Sequence, residues 1–242
     1  MEPDLTPITL PESFCFGCHP AVPCFNECCR DLNQFLTPYD ILRLKNHLGL
    51  SSGQFLEQYT SQHVGPESGL PIITLKPGDQ RDLTCPFVTP KGCSVYENRP
   101  SSCRTYPLMR GVARSRETGE MTEQFMVLKE PHCHGFDTAK TRTVQQWIDE
   151  QGLSIYNETN DKLMQIISLK NRRMPGELDI KARHLLITAL YNLDSFRSQI
   201  TSNGLLADLQ LDSSLVDKAR EDDLALLEVG LKWIEQVLFG PR

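Results

Sequence analysis

The stretch from Phe14 to Arg30, FCFGCHPAVPCFNECCR, carries Cys15, Cys18, Cys24, Cys28 and Cys29, five of the nine cysteines in this chain of 242 residues. The other four, Cys85, Cys93, Cys103 and Cys133, come singly in segments rich in Pro, Gly and Arg: TCPFVTPKGCSVYENRPSSCRTYP and EPHCHGF. A thiolate is a soft ligand that selects zinc, Cu(I) or iron-sulfur clusters over hard cations, and four of them complete either a tetrahedral zinc site or a cubane. C-x2-C alone is common, but its continuation as C-x5-C-x3-C-C through Cys24, Cys28 and Cys29 is too dense for chance. Adjacent residues project their side chains in different directions, so Cys28 and Cys29 would chelate a single small ion awkwardly. They fit better serving two metals, or different irons of one cluster. Setting Cys15 aside leaves Cys18, Cys24, Cys28, Cys29, Cys85, Cys93, Cys103 and Cys133, which make either two sets of four or one set with spare structural thiols.

The surroundings bear on the metal. Phe14, Phe16, Phe25, Phe35 and Phe87 would form an apolar shell, and Arg30 and Arg104, each directly after a cysteine, would offset the charge of a tetrathiolate site. Both features favour an iron-sulfur cluster of the 4Fe-4S type, with zinc as the alternative. His19 adjoins Cys18, and His132 and His134 bracket Cys133, so each could add an imidazole, although eight thiols already suffice.

Compartment and charge set the frame. MEPDLTPITLPESF has early acids, three prolines and no apolar run, so it does not read as a secretory leader. No window approaches the roughly 18 apolar residues of a membrane span. The expected setting is a reducing cytoplasm, where clustered thiols bind metal or react rather than form disulfides. A net charge of -6 argues against a nucleic-acid partner. Arg104, Arg110, Arg114 and Arg116 read as a solvated strand face. The expected partner is a protein partner or substrate, with no membrane.

The positioning elements follow from punctuation and period. Residues 1–13 read as an extended lead-in. LTPYDILRLKNHLG is a helix with Thr37 as N-cap, Pro38 at the first position and Gly49 as stop. SSGQFLEQYTSQ is a second helix, with Ser51 and Gln54 as a capping box, and the two helices would floor the cysteine loops. Residues 69–76 are a strand, and PLMRGVARS with EQFMVLKEP form a hairpin, which together give an antiparallel sheet of about three strands. Helical periods then run over 140–151, 157–172, 178–200 (with Ile180 on the buried face) and about 213–239. The fold class is mainly α with a small antiparallel β element. The expected division is a cysteine-cluster metal-binding domain at 14–136 followed by a helical bundle at 137–242.

These motifs carry a resemblance. Cys24 with Cys28-Cys29, Thr37 with Asp40, Cys85-Pro86-Phe87, Gly92-Cys93 with Tyr96, Arg99-Pro100 with Cys103-Arg104, and Tyr106-Pro107 together resemble the cysteine-cluster family described as zinc- or iron-chelating, also called the YkgJ family. The likeness covers about residues 14–136. Where the family has CxxCxxCC this chain has C-x5-C-x3-CC, and Cys18 fits the first position better than Cys15. One branch is similar to flagellin lysine N-methylases, which carry an iron-sulfur cluster, so the resemblance implies a metal protein and admits an enzyme. The chain shows no methyl-donor motif, no P-loop and no G-x-S-x-G elbow. Three readings therefore stand: an iron-sulfur protein of unassigned reaction, an iron-sulfur enzyme, and a structural zinc protein.

Overall fold

Capping residues place the helices, and pairing between distant segments places the strands. The computed structural model describes residues 3–30, 32–66, 68–115, 117–202, 206 and 211–240. In chain order the first half contains β1 (Asp4–Ile8), β2 (Ser13–Cys15), α1 (Pro38–Leu48), α2 (Ser52–Tyr59), β3 (Thr60–Val64), β4 (Pro71–Leu75), β5 (Val88–Thr89), β6 (Gly92–Cys93), α3 (Ser101–Thr105), β7 (Leu108–Arg114) and β8 (Met121–Lys129). The second half contains β9 (Thr141–Thr143), α4 (Val144–Glu150), α5 (Ser154–Arg173), α6 (Ile180–Leu190), α7 (Leu193–Ser202), α8 (Ser213–Lys218) and α9 (Asp223–Phe239). The fold is mainly α with small antiparallel sheets. Among the described residues no helix is long and apolar enough to cross a membrane.

The chain forms two compact units, Met1–Leu32 with Pro77–Asn157 and Asn33–Lys76 with Glu158–Arg242. This differs from a linear division at residue 136. The helices α1 and α2, expected beneath the cysteine loops, belong to the second unit, while α4, expected in the bundle, belongs to the first. All nine cysteines lie in the first unit.

In the first unit the sheet order is β1-β8-β7, antiparallel throughout, with Ile8 opposite Phe125 and Leu108 opposite Val127. The third strand is thus the N-terminal stretch expected as a lead-in, and the strand at β4 pairs with β3 in the second unit instead. Residues 60–64 form that partner strand, although 60–62 were expected to end a helix. A short ladder joins β2 to β9, Cys15 opposite Thr141. Phe14, Phe16, Leu108, Phe125, Val144, Trp147, Ile148 and Leu153 make the core. Phe16 is its hub, meeting Tyr106, Phe136 and Trp147 edge to face at 5.6, 5.2 and 5.7 Å. Of the expected arginine face, Arg110 pairs across the hairpin with Glu123 at 2.8 Å, Arg104 is buried on α3, and Arg116 lies outside the described residues.

In the second unit α1 starts on the expected capping box. Thr37 Oγ1 accepts from the Asp40 N–H at 3.2 Å, and Asp40 accepts from the Thr37 N–H at 2.8 Å. Gly49, at φ 67°, closes the helix. The expected helix over 178–200 is two, because Asn192 restarts the chain: its carbonyl accepts from Phe196 and its side chain from Ser195. The last helix is likewise split, with Asp222 accepting the Ala225 N–H at 2.8 Å to begin α9. Ile180, expected on a buried face, is 79% exposed at the first position of α6. At Gly230 a Cβ would stand 2.2 Å from the Ala189 carbonyl, so glycine lets α9 close on α6. Buried Lys170 is held by the carbonyls of Ser68 and Gly176.

Buried Lys45 on α1 is the electrostatic tie of this unit, with Nζ 2.8 Å from Asp223 and 3.6 Å from Asp194. Burial alone would raise both carboxyls, but Ser52 and Lys45 outweigh it at Asp194, and Lys45, Asn46 and Arg197 outweigh it at Asp223. Both therefore sit below the usual carboxylate range. Their contribution to stability is complete above the unfolded carboxyl value of about 3.9 and is lost as pH falls through the depressed folded values. Because Asp194 is partly exposed, Lys45→Met is expected to cost only about 2 kcal/mol at pH 7. In thermal unfolding from pH 7 to pH 2, the gap between wild type and variant should narrow below pH about 4. A gap constant with pH would contradict this account.

Candidate metal centre

Backbone pairings bring the scattered thiols into one unit. Cys28 and Cys29 sit in a tight turn over Glu27–Cys29, entered through Asn26 at φ 71°, whose side chain donates to the Thr89 carbonyl at 3.0 Å. The Cys29 carbonyl accepts the Cys85 N–H at 2.8 Å. Two residues on from Phe87, β5 turns into β6, and the Val88–Cys93 pairing sets Cys93 beside the Cys85 segment. Cys103 lies on α3, and Cys133 follows β8. The Gly17 N–H reaches the Gly135 carbonyl at 2.9 Å, joining the segments that bear Cys18 and Cys133. Close approach matters there, since a Cβ at Gly135 would stand 2.4 Å from the Phe16 ring. Cys15 stands apart on β2, its Sγ 3.3 Å from Thr141 Oγ1.

Main-chain donors face the sulfurs. The His134 N–H donates to Cys24 Sγ at 3.1 Å. Nearby N–H groups act against burial at three other sulfurs: those of Phe87 and Val88 at Cys85, that of Val95 at Cys93 and that of Gly135 at Cys133. Each such bond favours the anionic thiolate, the form that binds metal.

The thiols also sense one another, in two neighbourhoods. Cys18 is pushed up to about 11, first by burial and then by Cys28, Cys24 and Cys133. Cys133 is raised by burial, opposed by the Tyr106 hydroxyl and the Gly135 N–H, with Cys24 adding to the rise. On the other side Cys29 is raised by its hydrogen bond with Cys28, then by burial, Cys28, Cys85 and Cys103. Cys85 is raised chiefly by burial, with Cys93 and Cys28 contributing, and Cys93 chiefly by burial, with Cys28 contributing. Cys28, lowered to about 7 by the hydrogen bond from Cys29, touches both groups. Cys18, Cys29, Cys85, Cys93 and Cys133 therefore resist ionising at neutral pH, and a cation removes that resistance. Among the described residues no three Cys, His, Asp or Glu side chains gather tightly enough to hold one ion. The expected ligands are therefore neighbours in two groups without converging on a point. Soft donors with N–H groups aimed at their sulfurs fit a metal-thiolate centre.

Other expected contributors divide. Phe14, Phe16 and Phe87 are buried and Phe25 is half-buried, but Phe35 is 52% exposed and belongs to the second unit. His134 Nδ1 lies 3.1 Å from Asp137, and His132 Nε2 lies 3.7 Å from Glu130. Arg30 is exposed and already engaged, 3.1 Å from Asp82 and 3.7 Å from Glu27, so it does not offset thiolate charge as expected. Arg99 is the basic group missed: its only sequence signal is the Arg-Pro before Cys103, and it lies buried within electrostatic reach of Cys93 and Cys103. Tyr106, also missed, sits beside Cys133 and Glu130. Its hydroxyl completes no well-aligned hydrogen bond, and burial, then those neighbours, push its pKa up.

Residues 17–134 match the CxxCxxCC family model, whose description is "Putative zinc- or iron-chelating domain". The family likeness read from the motifs is thereby shown over the cysteine region. No curated protein matches the chain, and no solved structure matches it.

Gly92 is the local device that delivers Cys93. At φ 114° only glycine is comfortable, and a Cβ would stand 3.1 Å from the Phe25 ring. Gly92→Ala is expected to cost about 1–3 kcal/mol and to lower metal per chain. Gly111→Ala on β7, where a Cβ would lie 3.9 Å from the nearest atom, should change neither by much. Equal behaviour of the two variants in thermal unfolding and metal analysis would refute this role.

Proposed function

We propose, with the zinc- or iron-chelating family match over residues 17–134 as the premise, that this protein holds two iron-sulfur clusters of the 4Fe-4S type. One set would be Cys18, Cys24, Cys28 and Cys133, and the other Cys29, Cys85, Cys93 and Cys103. The observation that carries the reading is the distribution of N–H groups facing sulfur, at Cys24 and Cys133 in one set and at Cys85 and Cys93 in the other. Hydrogen bonds of this kind stabilise cluster ligands and tune their potential. The wide spread of each set suits a cluster better than one zinc ion, whose sulfurs must all lie at about 2.3 Å from the metal. A bound cluster of this type supplies one-electron chemistry, or an iron site for activating a substrate.

The chain's own part is to hold the ligands as thiolates, to wall them with Phe16, Phe87 and the neighbouring aromatic core, and to keep Cys28 and Cys29 turned to different sets. The setting is a reducing cytoplasm, and the partner or substrate is a protein, without nucleic acid or membrane.

Anaerobic purification followed by iron, sulfide and zinc analysis tests this. About eight irons and eight sulfides per chain, with visible absorbance, are expected; a colourless protein with zinc alone would replace the iron reading. Cys28→Ser and Cys29→Ser should each remove about half of the metal, and spectroscopically different halves, while Cys15→Ser retains it all. A silent Cys28→Ser, or a Cys15→Ser protein that loses its metal, would overturn the assignment.

A further inference from the structure

Among the described residues of the first unit three arginines are buried, and one of them is conventionally paired. Arg142 Nε lies 2.6 Å from the Glu150 carboxylate. Arg99 and Arg104, each 8% exposed, have no carboxylate within ion-pair distance among the described residues. Their guanidinium partners are neutral: Arg99 donates to the Tyr96 carbonyl and the Gln151 side chain, and Arg104 to the carbonyls of Glu97 and Gln151. Each also stacks on an aromatic ring, Arg99 at 3.8 Å from Tyr96 and Arg104 at 5.1 Å from Tyr156. Arg104 Nε is buried with no acceptor.

Two neighbouring guanidinium groups withdrawn from water without a counter-anion are strongly unfavourable, because each must be paired or lose its hydration uncompensated. Arg99 lies within electrostatic reach of Arg104, and also of Cys93 and Cys103. The Glu97 carboxylate is within that reach too, but it is exposed and makes no ion pair. The anionic partner missing from the protein is what a metal bound by four thiolates would provide, since such a centre carries net negative charge.

We infer that Arg99 and Arg104 are the charge-compensating pair for the centre held by Cys29, Cys85, Cys93 and Cys103. The inference rests on the two-centre reading above. They act as positioning residues: two fixed positive charges stabilise the more negative forms of the centre, so they strengthen metal retention there and raise its reduction potential if it is iron-sulfur.

The test is anaerobic chelator competition on wild type and on the full-length Arg99→Gln, Arg99→Lys, Arg104→Gln and Arg104→Lys variants, with metal per chain as the readout. The Gln variants should release about half of their metal at roughly tenfold lower chelator concentration, or be isolated with that half missing, while the Lys variants stay close to wild type. For an iron-sulfur protein, one of two midpoint potentials should fall in the Gln variants by about the 59 mV that a tenfold change represents for one electron, and the other should stay. Gln variants that misfold beside Lys variants that fold with full metal also support charge compensation. Lys variants as depleted as the Gln variants, or no change in any variant, would overturn it. Wild-type protein without metal would overturn the two-centre reading, and this inference with it.

Discussion

Withdrawal of sulfur from water, reinforced by neighbouring sulfurs, governs the cysteines of the first unit. Burial is the first cause that raises Cys18, Cys85, Cys93 and Cys133, the hydrogen bond with Cys28 is the first at Cys29, and nearby thiols add to each. Such a cluster is unfavourable as a set of anions and unremarkable as a set of neutral thiols. Backbone donors aimed at Cys24, Cys85, Cys93 and Cys133 would be of little use to neutral thiols, which are weak acceptors. Their placement makes physical sense when the sulfurs are anionic, which requires a cation among them.

The architecture supplies that arrangement with few regular elements. The sheet β1-β8-β7 and the aromatic packing of Phe14, Phe16 and Trp147 form a platform, and hydrogen bonds tie the cysteine segments to one another: the Gly17 N–H to the Gly135 carbonyl, the Cys85 N–H to the Cys29 carbonyl and the Asn26 side chain to the Thr89 carbonyl. Glycine is needed where those loops pass close to rings, at Gly92 against Phe25 and at Gly135 against Phe16. The second unit follows different physics. Its helices close on an apolar interior through contacts such as Gly230 against Ala189, with Lys45 and its two aspartates at the rim.

What was legible in the sequence was local. Thr37, Asp40 and Gly49 announced α1 because caps act within one turn, and the soft-donor chemistry of the cysteines needed no coordinates. What was illegible depended on distant partners. Nothing in residues 4–8 says that they pair with 125–129, and periodicity could not show the restarts at Asn192 and Asp222, whose side chains cap new helices inside otherwise continuous apolar patterns. Ile180 misled for a related reason: an apolar residue at a helix start has no preceding turn to share its face. Arg30 misled because adjacency to a cysteine says nothing of Asp82, brought beside it by folding.

The adjacent pair Cys28-Cys29 shows why the spacing departs from a simple chelating repeat. In the tight turn over Glu27–Cys29 the two cysteine side chains hydrogen-bond to each other, and the Cys28 sulfur is within reach of Cys18 on one side and of Cys85 and Cys93 on the other, while Cys29 is within reach of Cys85 and Cys103. One short segment thus lies near thiols from opposite flanks, Cys133 after the hairpin and Cys85, Cys93 and Cys103 before it. The buried arginines without a carboxylate partner among the described residues, Arg99 and Arg104, lie on the second flank. Under the two-centre proposal the groups are alike in donor type and differ in the charge around them.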